Sequence, residues 1–580
     1  MTSPVPPTVA SAAGETAEAQ RRQSRSRLRT PQENGALLQI PLVSQLVVAA
    51  QKNAAALATG GRDAEWARLW PSLEERKDVR TEVLAVAEAW TQRLLHAALG
   101  PVDPRSHCGG WAGIRTVDGL WFVTGHQPAL FHPGVWIKNF AASRLARAQC
   151  GAVGLNLIVD NDLAPSPAVA VPEGSTSEPR WGSVPYDAPQ ITGPWEETQV
   201  ANRLVFSSFG DRLGTAVSQW GWSPLVRELW PRVLRAESEL GNPGWAFAAA
   251  RTATEWDWGF GNLEIPLSAV CQLRGFQRFT IRLLNQLPRF HTIYNKTLAD
   301  YRQLYKLRSQ THPVPDLRRE HDWLEAPFWI WRNRERQRRR LLIRLQAGEI
   351  ELADGREVLG TFPPGEEGLT AGIHVLQSLA SRGIKLRTRA LTTTLFSRLY
   401  FADLFIHGIG GAKYDEITDQ IVEQFCGGAP PVYATLSATL RLPLPAFDET
   451  VEDLRRQKQS LRAAEQHPQD FLDNPAEAET RLLVEELDRL IQVQHAWRRG
   501  EANSQELASQ APTRYRQLQQ LRQRLLASTR QARERISARL KLVEQHLAAN
   551  LVLRNREFAF CLFPTDLLRS FAEDACRAIG

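Results

Sequence analysis

Three short stretches of this chain gather side chains that could bind or move charge. The first is Thr124-Gly125-His126-Gln127, followed by His132 and, a little further on, Lys138. Imidazoles and backbone N–H groups at the end of a strand can hold a phosphate or stabilise a charged transition state, and a lysine nearby can add a phosphate contact. The second is Asp160-Asn161-Asp162. Carboxylates there suit a substrate amine, a ribose or Mg²⁺, and either aspartate could serve as a base. The third runs HGIGGAKYD, with His407, Gly408, Gly410, Gly411, Lys413 and Asp415. Its glycines allow a backbone to approach a phosphate closely, and Lys413 could neutralise it. The spacing matches neither GxxxxGK[ST] nor GxGxxG.

The elements around these residues must present them together. Leu120-Trp121-Phe122-Val123 is an apolar run suited to a buried strand, and Gly125 ends it in a loop reaching Gly134. Val135, Ile137, Phe140, Ala141 and Leu145 then fall on one face of a helix. Gly154 to Asp160 reads as a second strand, so strand, helix and strand form a βαβ unit with parallel strands. A second such unit spans Ile384 to Phe425. It contains a strand at Lys385–Arg389, a helix at Leu391–Tyr400, a strand at Asp403–His407 and a helix from Lys413. The expected fold class is α/β. Ligands in such folds sit outside the carboxyl ends of the strands, where all three stretches would meet.

The remaining organisation follows from composition. At 580 residues the chain exceeds one ordinary core, and its 43% hydrophobic and 23% charged residues are globular values. A net charge of +7 suits an anionic small substrate as well as nucleic acid. The six cysteines, from Cys108 to Cys576, show no CxxC spacing, which disfavours a zinc site or disulfide framework and points to a reducing cytoplasm. Residues 1–35 read as a disordered tail with a basic cluster at Arg21–Arg29, and residues 36–105 as a helical segment. Residues 106–162 and 384–448 would be the halves of the core, with inserted subdomains at 163–383 and an Asp354-Gly355 hairpin inside them. The run Arg332–Arg344 reads as a solvated helix face, its arginines paired with acids, rather than an RNA surface. From 449 to 551, Leu483, Leu487 and Leu490, then Leu518, Leu521 and Leu525, then Ile536, Leu540, Val543 and Leu547 recur at helical spacing. Two long helices in an antiparallel coiled-coil hairpin fit this pattern, closing on itself or serving a homodimer, with residues 552–580 packing back on the core. No apolar run is long enough for a transmembrane helix, so no membrane association is expected.

Taken together, the three stretches resemble the bacillithiol biosynthesis cysteine-adding enzyme family, the cysteine ligases. That family has a TGQQ-type loop after its first core strand, a Gly-Pro turn and a lysine-bearing helix; Thr124, Gly125, His126 and Gln127, then Pro133-Gly134 and Lys138, hold those places here. Asp160-Asn161-Asp162 stands where the family carries an acidic GEDHD-type cluster, and His407–Gly411 stands at its later glycine turn. The resemblance implies a Rossmann-like core with inserted connective subdomains and a coiled coil. It also implies joining of cysteine to glucosaminyl malate, with ATP-type activation. The residues alone also accommodate a non-catalytic nucleotide- or sugar-binding scaffold whose coiled coil recruits a partner.

Overall fold

The architecture was analysed in a computed structural model that describes residues 28–59, 69–101, 115–309, 311–500 and 508–578. In chain order the strands are β1 (Leu37–Ile40), β2 (Trp121–His126), β3 (Val153–Ile158), β4 (Ala168–Gly174), β5 (Pro179–Pro185), β6 (Leu263–Pro266) and β7 (Arg319–Glu320). They continue with β8 (Trp323–Arg332), β9 (Arg339–Gln346), β10 (Glu349–Ala353), β11 (Val358–Phe362), β12 (Ile384–Thr388), β13 (Leu404–His407) and β14 (Ala434–Ala438). Described residues within Met1–Val171, Ser183–Leu442 and Arg556–Gly580 form one compact unit, and those within Pro172–Gly182 and Pro443–Asn555 a second.

The first unit is built on a six-stranded mixed sheet of order β1-β14-β13-β2-β3-β6. The contacts β14–β13, β13–β2, β2–β3 and β3–β6 are parallel, and β1 closes one edge antiparallel to β14. The strand order therefore runs outward in both directions from the neighbouring pair β2 and β13. Both faces are covered, as a parallel sheet requires. Trp121 and Val123 face one cluster with Leu155, Leu157, Leu263 and Ile265, whereas Phe122 faces another with Leu404, Ile406 and Leu436. That alternation is the period of two that turns successive strand residues to opposite faces.

The expected βαβ unit is present, with helix Pro133–Arg147 joining β2 to β3. Helix Ala390–Tyr400, strand β13 and a helix after the glycine turn are present too, although that helix starts earlier, at Ile409. Other expectations change. Leu37–Ile40 is an edge strand rather than the opening of a helix, paired along its length with β14. Residues 28–35 are not part of a tail: Leu28 is buried, Thr439 Oγ1 donates to the Pro31 carbonyl at 2.6 Å, and Gly35 N donates to the Thr439 carbonyl. Residues 1–27, including Arg21–Arg27 of the basic cluster, lie outside the described residues, as does Cys108. A core strand, β6, lies inside the stretch read as inserted.

A second, antiparallel sheet of order β11-β10-β9-β8-β12 packs in the same unit, with β7 beside β8. The Asp354-Gly355 turn joins β10 to β11 as a hairpin, as expected. The arginine-rich run from Arg332 to Arg344 is no helix: it ends β8, turns and forms most of β9. Leu341 and Ile343 point inward and alternate with half-buried Arg340, Leu342 and Arg344. Its arginines do pair with acids, as in Arg332–Asp354 and Arg344–Glu351. Ile384–Thr388 pairs antiparallel with β8 and belongs to this sheet, not to the parallel one.

In the second unit, helix Val451–Gln466 packs with Arg530–Leu553, and helix Ala478–Arg498 with Ala511–Ala527. Leu483, Leu487, Leu518, Leu521 and Leu525 form the core of the latter pair. Among the described residues, four long helices stand where two were expected. Pro468 cannot continue the helix ending at Gln466, and the chain breaks again at Ser528-Thr529. No described helix is long and apolar enough to cross a membrane.

Before β13, the buried carboxylate of Asp403 ties distant segments together. It lies 2.6 Å from both Arg76 Nη2 and Arg80 Nη2 of helix Leu73–Leu99, and it accepts from Trp121 N at 2.9 Å. Asp403→Ala would leave two buried guanidiniums without their carboxylate. We expect a loss of about 4 kcal/mol in urea denaturation, and a loss below ~1 kcal/mol would contradict this role.

Candidate functional site

Because the sheet diverges from β2 and β13, a crevice opens at their carboxyl ends. A cleft of about 470 Å³ occupies it. Its walls include Gly125 near the end of β2 and Gln127 just after it, Asn161 and Asp162 after β3, and His407 at the end of β13 with Gly411, Tyr414 and Asp415 beyond it. Trp329, Arg338, Thr388 and Arg389 come from the second sheet and its connections. The first two of these segments are neighbours in sequence, and the third, some 245 residues further on, meets them at the same cleft.

The side chains that reach the cleft differ in part from those expected, and strand parity explains much of this. Gly125 and Gln127 line the cleft, and His126 between them turns away. Its ring meets Phe131 edge-on at 4.9 Å, and its Nδ1 lies 3.1 Å from the Gln127 carbonyl oxygen. Burial, with Lys138 close by, lowers its pKa to about 3. His132 caps helix Pro133–Arg147 without a side-chain bond to it and lies 3.3 Å from Glu557; burial and Arg556 lower its pKa to about 3. The Lys138 ammonium is buried and donates to the Gly125 carbonyl at 2.8 Å, with burial lowering its pKa to about 8. Thr124 Oγ1 donates to the Ile406 carbonyl at 3.0 Å, bridging β2 and β13. Gly125 is required by close approach: a Cβ there would stand 3.0 Å from Leu157 Cβ and 3.1 Å from its carbonyl oxygen.

Asp160 is fully buried and does not line the cleft. It accepts from Ser268 N at 2.9 Å, from the Ser268 hydroxyl and from Trp245 Nε1 at 3.1 Å. Burial and the nearby Glu196 raise its pKa to about 6 against those bonds. Asp160 therefore anchors the turn, and its neighbours face outward. Asn161 Nδ2 donates to the Thr388 carbonyl at 2.9 Å, joining the turn to β12. Asp162 accepts from Gln127 Nε2 at 2.8 Å and from Arg338 Nη1 at 3.2 Å.

The glycine turn places its residues differently as well. Gly408 is the N-cap of helix Ile409–Ile421 and offers no side chain to its first N–H groups. Lys413 is half-buried, makes no ion pair among the described residues and does not line the cleft. Gly410 has open space where a Cβ would stand. His407 and Asp415 carry the chemistry of this segment. His407 Nε2 and Asp415 Oδ2 are 2.9 Å apart, and Arg398 Nη1 donates to the same oxygen at 2.7 Å. Burial alone would raise the Asp415 pKa, but Arg398 and His407 outweigh it and hold the carboxyl below its ordinary range. A carboxylate at Nε2 fixes the proton there, so Nδ1 is the accepting nitrogen. A Cβ on Gly411 would lie 2.7 Å from that Nδ1, so glycine is what leaves room for the ring. Phe405 and Tyr433 hold the imidazole at 4.5 and 5.2 Å.

The sequence reading did not single out Arg338, Arg389, Arg398 or Trp329. Arg389 had a detectable signal, a basic residue between a strand and a helix. Arg398 and Trp329 are ordinary members of a helix and a strand, and only the folded chain gives them partners.

The lowered histidines imply acid sensitivity. Native His126 takes its proton near pH 3, whereas an ordinary histidine takes it near 6.5. Unfolding therefore takes up protons between those values, and stability falls as pH drops through the window. His126→Gln should reduce the stability lost between pH 7 and pH 4 by about 2 kcal/mol, allowing for the ring's partial exposure. Denaturation curves at both pH values test this; an unchanged difference would count against a neutral His126. No family model matches the chain, and no curated protein matches it in sequence.

Proposed function

We propose that the cleft is the active site of an enzyme that joins cysteine to an amino sugar such as glucosaminyl malate, the C–N bond formation of bacillithiol-type thiol synthesis. The observation that carries this reading is His407 on the cleft wall, with Nε2 held by Asp415 and Nδ1 left as an acceptor. In this reading the parallel strands are a Rossmann-like core whose switch point lies between β2 and β13. Residues 449–551 are an antiparallel coiled-coil hairpin with both arms interrupted.

An amine must lose a proton as it bonds to a carboxyl carbon. His407 Nδ1 would take that proton, and Asp415 would stabilise the imidazolium that results. Asp162, on the cleft wall and steadied by Gln127, would orient the amine before attack. A free carboxylate is a poor acyl donor; ATP would supply its activation by placing a phosphoryl or adenylyl group on the carboxyl oxygen, and phosphate or AMP would leave as the C–N bond forms. The uncapped first turn at Gly408–Gly411, with open space at Gly410, fits its phosphates. His126, Asp160 and Lys138 act through the scaffold: they set the backbone of β2 and of the turn after β3.

His407→Asn should lower amide formation from cysteine, glucosaminyl malate and ATP by ~10² or more while leaving far-UV circular dichroism unchanged. Cells lacking the chain should accumulate glucosaminyl malate, and the wild-type gene, but not the His407→Asn form, should restore the thiol. An unaltered thiol pool in the deletion strain would overturn the assignment.

A further inference from the structure

The second sheet brings positive charge to the cleft in a form that the protein leaves partly unmatched. Trp329 of β8 carries two guanidiniums over its ring, Arg389 at 4.0 Å and Arg338 at 4.8 Å from the centroid. All three residues line the cleft. The Arg389 side chain is only 8% exposed, and its Nη2 donates to Glu325 at 2.6 Å. Its Nε and Nη1 have no hydrogen-bond partner among the described residues. Glu325 is itself shared, with Arg340 Nε 3.4 Å away. Burial lowers the pKa of Arg389, and likewise that of Arg338. Arg338 spends Nη1 on the Asn161 carbonyl at 3.1 Å and on Asp162 at 3.2 Å. Its Nε and Nη2 make no hydrogen bond among the described residues.

Buried unpaired N–H groups on a charged side chain are costly, and a site that keeps them is prepared for an acceptor. An independent feature points the same way. Helix Ala390–Tyr400 begins directly after Arg389 with no side-chain cap, and its first residues, Ala390 and Leu391, line the cleft. The free N–H groups of that turn and the helix dipole favour negative charge at the same place. Asp162 is the carboxylate beside Arg338, and it is already engaged by Gln127 and Leu163 N. The other cleft carboxylate, Asp415, is held by Arg398 and His407.

We infer that Arg338, Arg389 and the first turn of helix Ala390–Tyr400 form an oxyanion subsite, which selects substrates carrying an acid group away from the reacting amine. The inference rests on the cleft being the active site, and it deepens that reading by naming what the far part of the substrate must carry. A guanidinium fork suits a carboxylate or a phosphate alike. Trp329 holds both forks in fixed planes.

Calorimetric titration of the full chain with L-malate, and separately with inorganic phosphate, tests this without requiring turnover. At least one anion should bind the wild-type chain. Arg338→Gln should weaken it ~10-fold or more, as should the pair Arg389→Leu with Glu325→Gln, which removes the buried ion pair as a unit. Selective loss of malate binding identifies a carboxylate subsite, and selective loss of phosphate binding a phosphate subsite; each supports the inference. Absence of binding to the wild type, or equal binding by the variants, overturns it. If the double variant fails to fold, Arg338→Gln decides alone, because that residue lies in the half-buried turn between β8 and β9. A chain that binds malate through these arginines but forms no amide would refute the ligase reading and leave the subsite standing.

Discussion

The parallel contact between β2 and β13 is the constraint on which the cleft depends. These strands are 282 residues apart at their hydrogen-bonded positions, so closing that loop costs conformational entropy that local structure cannot recover. The chain fixes the contact at both ends. Asp403 accepts from Trp121 N and holds Arg76 and Arg80 at the amino end, and Thr124 Oγ1 bonds the Ile406 carbonyl near the carboxyl end. Between them the register pairs Phe122 with Leu404 and Thr124 with Ile406. A slip of one residue would turn Gly125 and Gln127 away from the cleft and His126 into it. Buried charge thus fixes the registry of the sheet at this contact.

The same burial sorts the titratable groups. His126, His132 and Lys138 lie where water is excluded and positive charges are close, and each has its charged form disfavoured. His407 differs because its buried partner is a carboxylate that Arg398 keeps ionised. The histidine on the cleft wall is thus set by a partner eight residues on, in the helix after the glycine turn, and not by the loop motif that first drew attention.

What could be read in the sequence follows from which signals are local. The apolar run before Gly125, the helical spacing from Val135 to Leu145 and the apolar strand ending at His407 are local, and each marked its element, although the first helix begins two residues earlier, at Pro133. β6 was not legible: Leu263-Glu264-Ile265-Pro266 is short, and Glu264 is tolerable inside only because Arg251 and Asn156 bond it. β9 was misread because Leu341, Leu342 and Leu345 fit helical spacing as well as Leu341 and Ile343 fit a strand. Pairing with β8 and β10 decided between them. The neighbourhood of the site was legible, since glycine and aspartate cluster at strand ends for backbone reasons. Which of the named side chains line the cleft was not, because pleat parity gives adjacent residues opposite fates.

The second sheet, built from the stretch read as inserted and the strand after it, forms part of the cleft wall. A crevice at the edge of a parallel sheet is open to water on its outer side, and charged groups there act weakly. Asn161 Nδ2 on the Thr388 carbonyl and Arg338 on the Asn161 carbonyl hold β12 and the β8–β9 turn against the turn after β3. Together they set Trp329 and two guanidiniums beside the crevice. The antiparallel sheet thereby supplies both the wall that excludes water and the charge that the parallel sheet lacks. That explains why a strand so rich in arginine is retained next to a core: its backbone builds the sheet, and its flanking side chains complete the cleft.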